Sequence, residues 1–412
     1  MLILYNLGIY VYQLTAKLIS PIHRKAGLFV QGQKASINNI STKNLFETKT
    51  VWFHVSSLGE FEQGRPLIEA IKAKFPEKKI VLSFFSPSGY EIRKNYALAD
   101  YVCYLPADKA RNAKKFIDWI NPEMSIFVKY DFWYHYLNQL HKKNIPTYLI
   151  SGLFRKNQLF FKSYGRFYKK MLSFFTHFFV QNQESVELLT KYGFTNVSRS
   201  SDTRFDRVFS IGKQAEKIAI AAAFKNHKKL VVAGSSWPPD EKHIIDYINN
   251  NQADTKYIIA PHEISKNHII QIENQLKKSF IRYSNAHIEN VKDVSILIID
   301  NVGMLSSLYQ YGEIAYIGGG FGSGIHNTME PATFGLAIIF GPKYQKFEEA
   351  KEMISHGGAV SIKSTEQLNT QLNYWLEKED ARMASGEKNK QYIEKNTGAT
   401  HQILKCIFSK PE

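Results

Sequence analysis

The 412 residues are 44% hydrophobic and 22% charged, a composition that excludes a disordered chain and supplies buried cores for two to three domains of about 150 residues. Two cysteines, Cys103 and Cys406, make neither a disulfide framework nor a metal-ligand spacing and point to a reducing, cytosolic compartment. The net charge of +16 is one-sided, with 28 Lys and Arg against 13 Asp and Glu in residues 1–200 and 25 against 24 in residues 201–412; the first half is expected to meet nucleic acid, acidic lipid or a phosphorylated substrate, unless its charge serves solubility alone.

Residues 1–20, MLILYNLGIYVYQLTAKLIS, are apolar and aromatic, and the basic residues follow the run rather than precede it. A secretory signal would carry its charge first and end in a small-residue cleavage site, so removal is not expected. The length sits at the lower edge of the roughly 17 to 25 residues a spanning helix needs. Two readings stand: a short membrane anchor or interfacial helix, and a helix buried in the protein core.

Short β-branched and aromatic runs then predict strands at 51–55, 80–84, 101–104, 125–128, 147–150 and 178–181, and at 230–233, 257–260, 296–299, 314–317 and 337–340. Helical patterns between them predict α/β units on parallel sheets. The series breaks near residues 201–213, where the charge balance also changes. Two Rossmann-like domains facing a central cleft are therefore expected, over residues 21–207 and 208–412. The charge-rich segment 377–395 is expected to cross back toward the first domain. The aromatic and basic run 155–179 reads either as a membrane-facing surface or as a helix with a buried aromatic stripe.

Several motifs fall at predicted strand ends, where ligand sites of open α/β sheets lie. In His54-Val55-Ser56-Ser57-Leu58-Gly59-Glu60, Glu60 is placed to act as a general base. Ser57 with Glu60 three residues on is equally a capping box that only satisfies backbone donors. The run Gly318 to Pro331, GGGFGSGIHNTMEP, lets backbone approach a ligand, and Asn327 can cap a following helix whose free N–H groups suit a phosphate. It is neither the dinucleotide fingerprint nor a P-loop. Gly234-Ser235-Ser236, Pro261-His262-Glu263 and the linker stretch Asp202-Thr203-Arg204-Phe205-Asp206 complete the set. His262 alone reads as structural as readily as functional, and Arg204 between two aspartates as readily as a surface ion pair.

Taken together, the apolar N-terminus, HVSSLGE, SDTRFD, GSSWPPDE, APHE and GIHNTMEPATFG with FGPKYQKFEEA after it resemble, in order and spacing, the 3-deoxy-D-manno-octulosonic acid (Kdo) transferase family. The resemblance implies a GT-B fold, CMP-Kdo as donor on the second domain, a lipid A precursor as acceptor on the first, inversion at the Kdo anomeric centre, and no bound metal or other cofactor. It assigns Glu60 as general base and Arg204 as transition-state stabiliser. It maps CMP-Kdo contacts onto Pro261, His262, Val302, Gly303, Met304, Asn327, Thr328, Met329 and Glu330. Lys129 replaces an acidic residue to which the family assigns a stabilising role, while Asp131 retains a second acid of that stretch.

The basic half then coincides with the acceptor half, and an apolar helix plus Lys and Arg residues would attach the protein to an anionic membrane, at the cytoplasmic face of the inner membrane. No nucleic-acid motif is present. The alternatives are another GT-B enzyme using a UDP-sugar, transferase or epimerase, and a non-catalytic protein that binds acidic lipids.

Overall fold

Near-continuous apolar runs rather than alternating ones mark the strands, the pattern of sheets covered on both faces. The computed structural model describes residues 1–40, 44–251 and 254–408. The first sheet contains β1 (Thr50–Val55), β2 (Lys79–Phe84), β3 (Tyr101–Tyr104), β4 (Pro122–Val128), β5 (Thr147–Gly152), β6 (His177–Val180) and β7 (Val197–Arg199) in the order β3-β2-β1-β4-β5-β6-β7. The second contains β8 (Lys229–Ser236), β9 (Thr255–Pro261), β10 (Phe280–Arg282), β11 (Ile296–Ile298), β12 (Ile314–Ile317), β13 (Ala337–Phe340) and β14 (Ala359–Ser361) in the order β10-β11-β9-β8-β12-β13-β14. Every pairing is parallel.

All predicted strands form, and three more, β7, β10 and β14, are added at sheet edges. Each has three residues and at most one buried side chain. An edge strand has a neighbour on one side only and needs no sustained apolar run, so the sequence pattern does not mark it.

Chain order reverses between β1 and β4 in the first sheet and between β8 and β12 in the second. At such a switch point the loops leaving the two strands run in opposite directions and open a crevice at the strands' carboxyl ends. HVSSLGE leaves β1 and Lys129 to Asp131 leave β4; GSSW leaves β8 and the glycine run leaves β12.

The chain divides into two units, Met1–Asp206 together with the residues from Gly398 onward, and Arg207–Thr397. The segment expected to cross back does not do so. Helix Glu379–Lys395 stays in the second unit, where Asn389 donates to the carbonyls of Leu336 (2.8 Å) and Gly358 (2.7 Å) and Ser385 donates to Gly358 (3.0 Å). Its charge hides one buried polar face that satisfies loop carbonyls. The following helix, Ala399–Phe408, is the one in the first unit: Ile403 and Ile407 join the core of Phe61, Leu67 and Ile71, and Asp206 accepts from the backbone N–H groups of Gly398 and Thr400 at its start. A carboxylate there also complements the helix dipole.

The N-terminal helix, Leu2–Ile19, is not a core helix. It lies on the first unit by a single stripe: Tyr5 donates to Asp108, Asn6 Oδ1 is 2.7 Å from His135 Nε2, and Ala16 is buried. Ile3, Leu4, Leu7, Val11, Leu14 and Leu18 are exposed. Among the described residues it is the one helix long and apolar enough to cross a membrane. In 155–179 the buried-stripe reading is the one observed for most of the aromatics. Phe161, Phe174, Phe175, Phe178 and Phe179 are core residues, while Lys156, Lys162, Arg166, Lys169 and Lys170 are exposed.

Candidate active site

In the first unit the two loops of the switch point bring Glu60 and Asp131 into one electrostatic neighbourhood. Glu60 occupies the first turn of helix Leu58–Lys74, and Ser57 at the cap position makes no side-chain bond to the backbone. Its hydroxyl donates to the Glu60 carboxylate instead. The capping-box reading is therefore not what forms, and the carboxylate is oriented rather than spent on the helix end.

Asp131 is buried, and its Oδ1 accepts from the Ser56 hydroxyl. Its Oδ2 is buried and has no hydrogen-bond partner. Behind it His54, at the end of β1, is completely buried. Trp133 Nε1 donates to His54 Nε2 at 2.9 Å, so the ring's proton is on Nδ1, 2.9 Å from Ser83 Oγ. Burial pushes the imidazole pKa down to about 3. A neutral, doubly bonded histidine is a fixed support for the loops, not a proton carrier at neutral pH.

Burial lifts the Asp131 carboxyl to about 7; hydrogen bonding from Ser56 works against the rise and the nearby Glu60 charge adds to it. The folded chain thus keeps this proton to about pH 7, whereas the unfolded chain releases it near pH 4. Its contribution to stability is complete at pH 4 and is lost as pH rises through 7. Urea titrations at pH 5 and pH 8 are expected to show a smaller pH-dependent fall in midpoint for Asp131→Asn than for the unaltered chain. An equal fall in both would remove Asp131 as the source.

Lys129 follows β4 with a left-handed backbone, φ 66°, and its ammonium lies over the Tyr130 ring, 5.3 Å from the centroid. Arg204 begins helix Arg204–Lys213 and its guanidinium is gripped by buried Asp202, with Nε 3.2 Å from both carboxylate oxygens and Nη2 3.0 Å from Oδ2. Burial alone would raise the Asp202 carboxyl, but the Arg204 charge and hydrogen bonds outweigh it and hold it below the usual range. Gln63 Nε2 also donates to Asp202 (2.6 Å), and Gln63 is on the helix that carries Glu60. The surface-ion-pair reading of Arg204 therefore gives way to a buried brace tying the 202–204 loop to the Glu60 helix.

In the second unit Pro261 closes β9 and His262 follows it, with its N–H bonded to the Ser236 carbonyl (2.8 Å). The His262 ring is stacked between Trp237, 4.6 Å away, and His326, 4.5 Å away, and Trp237 Nε1 donates to His326 Nε2 at 2.9 Å. Burial, then the adjacent His262, keeps the His326 pKa below its ordinary value. The stack joins the loops after β8, β9 and β12. Val302 and Gly303 lie in the exposed loop beyond β11 and Met304 precedes helix Leu305–Leu308.

The helix after the glycine run is only Met329–Thr333, five residues, and Thr328 rather than Asn327 stands at its cap. Asn327 Oδ1 accepts from the Met329 N–H (3.0 Å) and its Nδ2 donates to Glu330 (2.9 Å). Little macrodipole builds over so short a helix, so the expected helix end suited to a phosphate does not form. Thr328 Oγ1 is buried without a partner.

Sequence reasoning missed Asp240. Fully buried, it accepts from Tyr316 (3.0 Å), from the Gly319 N–H (2.8 Å) and from the Trp237 N–H (3.1 Å), fixing the glycine loop to the β8 loop. Its signal was the Trp-Pro-Pro-Asp start of helix Pro238–Asn250, where prolines open a helix and an acid bonds back to the cap N–H. Among the described residues no group of three His, Cys, Asp or Glu side chains is placed to hold a metal ion.

Residues 27–207 match the family model described as 3-Deoxy-D-manno-octulosonic-acid transferase (kdotransferase). The 3-deoxy-D-manno-octulosonic acid transferase of Rickettsia bellii is 26% identical over 87% of each chain. That of Aquifex aeolicus is 27% identical over 79% of this chain and 86% of its own. Among solved structures, UDP-GlcNAc 2-epimerase from Neisseria meningitidis bound to UDP-GlcNAc superposes with a TM-score of 0.60 at 12% identity, covering 88% of this chain and 100% of that one. Acinetobacter baumannii MurG gives 0.56 at 10% identity, covering 87% and 99%. At such identities these two speak for the fold alone, which is GT-B. By the sequence relatives and the family model, the chain is similar over most of its length to 3-deoxy-D-manno-octulosonic acid transferases and is a glycosyltransferase.

Proposed function

We propose that the protein transfers Kdo, with inversion, from CMP-Kdo to a sugar hydroxyl of a lipid A precursor, and needs no bound metal to do so. The observation that carries this reading is the Glu60 carboxylate, held by Ser57 at the switch point of the first sheet and free of any capping duty. In the reaction Glu60 takes the proton of the acceptor hydroxyl while that oxygen bonds to the Kdo anomeric carbon. The bond from that carbon to the phosphate of CMP breaks on the opposite face, and its electron pair leaves with CMP. Arg204, aimed by Asp202, offsets the charge that grows on the departing phosphate. Pro261, His262, Val302, Gly303, Met304 and the residues Asn327 to Glu330 bind the donor. Mass spectrometry of a tetra-acylated lipid A precursor incubated with CMP-Kdo and protein tests the reading. A Kdo mass increment, inhibited by CMP and not by UDP, supports it; no increment with folded protein overturns it.

The reading includes residence at the cytoplasmic face of the inner membrane, with Leu2–Ile19 lying in the interface. Support comes from its two faces: one is tied to the first unit through Tyr5, Asn6 and Ala16, the other presents Leu7, Leu14 and Leu18 outward. Each Leu buried in lipid contributes about 1.5 to 3 kcal/mol, and each nearby Lys or Arg about 1 kcal/mol on an anionic surface. Replacing Leu7, Leu14 and Leu18 together by Gln is expected to abolish co-sedimentation with phosphatidylglycerol-containing vesicles while the soluble fraction stays folded. Undiminished binding would remove the helix from the membrane contact.

A further inference from the structure

A cavity of about 610 Å³ opens within the first unit at the carboxyl ends of β1, β2, β4 and β5. Its volume falls in the range of small-molecule sites, about 300 to 1,000 Å³. Most of its wall is apolar, including Phe85, Phe132, Trp133, Leu159, Phe160 and Met171. Ser56, Asp131, Asn157 and Gln158 line it too. Ser56 adjoins Ser57, which holds Glu60. Tyr5 of the N-terminal helix supplies another part of the wall.

We propose that this cavity receives one acyl chain of the acceptor, with the polar group that joins the chain to its sugar set against Asp131; the inference rests on the acceptor's being a lipid-linked sugar, as in the function proposed above. Two features select a hydrocarbon chain. Aromatic and aliphatic side chains make most of the wall, and the polar side chains Ser56, Asp131, Asn157 and Gln158 in the same lining offer hydrogen bonds to the one polar group that joins the chain to its sugar. The helix that lends Tyr5 also carries the exposed row Ile3, Leu7, Val11, Leu14 and Leu18. A chain leaving a bilayer in which that row is immersed reaches the cavity along apolar surface. Seating the chain then brings the acceptor hydroxyl to the Glu60 loop, which is how binding remote from the reacting atoms contributes to catalysis.

Trp133 provides the probe. A dodecyl maltoside brominated on its alkyl chain, below its micelle concentration, is expected to quench the tryptophan fluorescence of the full chain saturably, and Trp133→Phe is expected to remove that component. Trp133 also supports His54, so a second variant is placed at the rim: Leu159, 43% exposed, tolerates substitution without a core change. Leu159→Arg is expected to weaken quenching about tenfold and to raise KM for a tetra-acylated acceptor about tenfold more than for its deacylated sugar phosphate, while Leu159→Ile does neither. Quenching unaltered by Leu159→Arg, or equal in Trp133→Phe and the unaltered chain, overturns the proposal. Transfer to lipid acceptors without any quenching keeps the proposed function and overturns the pocket. Quenching without transfer to any lipid overturns the function and the acceptor assignment with it.

Discussion

Glu60→Gln is expected to lower Kdo transfer about 10² to 10⁴-fold, the usual contribution of one positioned general base. The amide keeps the shape of the side chain and can still accept from Ser57, but it cannot take a proton. Because Ser57 and Glu60 do not cap the helix, the substitution removes no cap bond, and the thermal midpoint should hardly move; a lost cap would instead cost about 1 kcal/mol. Protection by CMP against thermal unfolding should also persist, since the residues assigned to the nucleotide lie in the second unit. Single-turnover mass spectrometry beside CMP-dependent melting separates these effects. Parallel loss of both would mean that Glu60 supports the fold rather than the chemistry.

Gly318→Val is expected to destabilise the second unit by about 3 kcal/mol, from overpacking and a lost backbone hydrogen bond. A Cβ at Gly318 would stand 2.1 Å from the Ser235 carbonyl oxygen and 2.6 Å from Ser236 Cα, all backbone that no rotamer can move aside. The same contact carries the bond from the Gly318 N–H to the Gly234 carbonyl (2.9 Å). Spreading these loops opens the switch point between β8 and β12, so CMP affinity should fall as well. Gly322, in the same run, would bring a Cβ only into ordinary van der Waals contact, 3.5 Å from the Gly319 carbonyl oxygen, and has an ordinary backbone; Gly322→Ala should change stability by less than about 0.5 kcal/mol. Equal urea midpoints for the two variants would refute the close-approach argument. Gly319 needs glycine on two counts: at φ 91° other residues pay steric strain, and a Cβ would stand 2.3 Å from the Gly324 carbonyl oxygen.

These two sites show how different signals reach the sequence. Both motifs were legible as loops at strand ends, because fully buried parallel strands write themselves as unbroken apolar runs and their loops as glycine, serine and acid clusters. Whether Ser57 caps or aims Glu60 was not legible. Both geometries use the same two residues at the same spacing, and only the position of the Ser57 hydroxyl separates them. The Asn327 reading holds in part: its Oδ1 accepts from the Met329 N–H at the helix start although Thr328 stands in the cap position, but the helix it opens has only five residues, with Gly335 at φ 72° just beyond it.

By itself the sequence determined the α/β class, the central strands, the place of the break between units, the one-sided charge and the set of loops that carry polar chemistry. All of these follow from local composition and period. Only the tertiary structure decided what depends on residues far apart in the chain. It placed Asp131 beside Ser56, 75 residues away, braced Arg204 through Asp202 to Gln63, and stacked His262 between Trp237 and His326. It returned Ala399–Phe408 to the first unit and laid the N-terminal helix along one face of it. A buried carboxylate, a stacked ring or a docked helix is defined by what surrounds it in space, and strand order in the sheet, rather than order along the chain, supplies those surroundings.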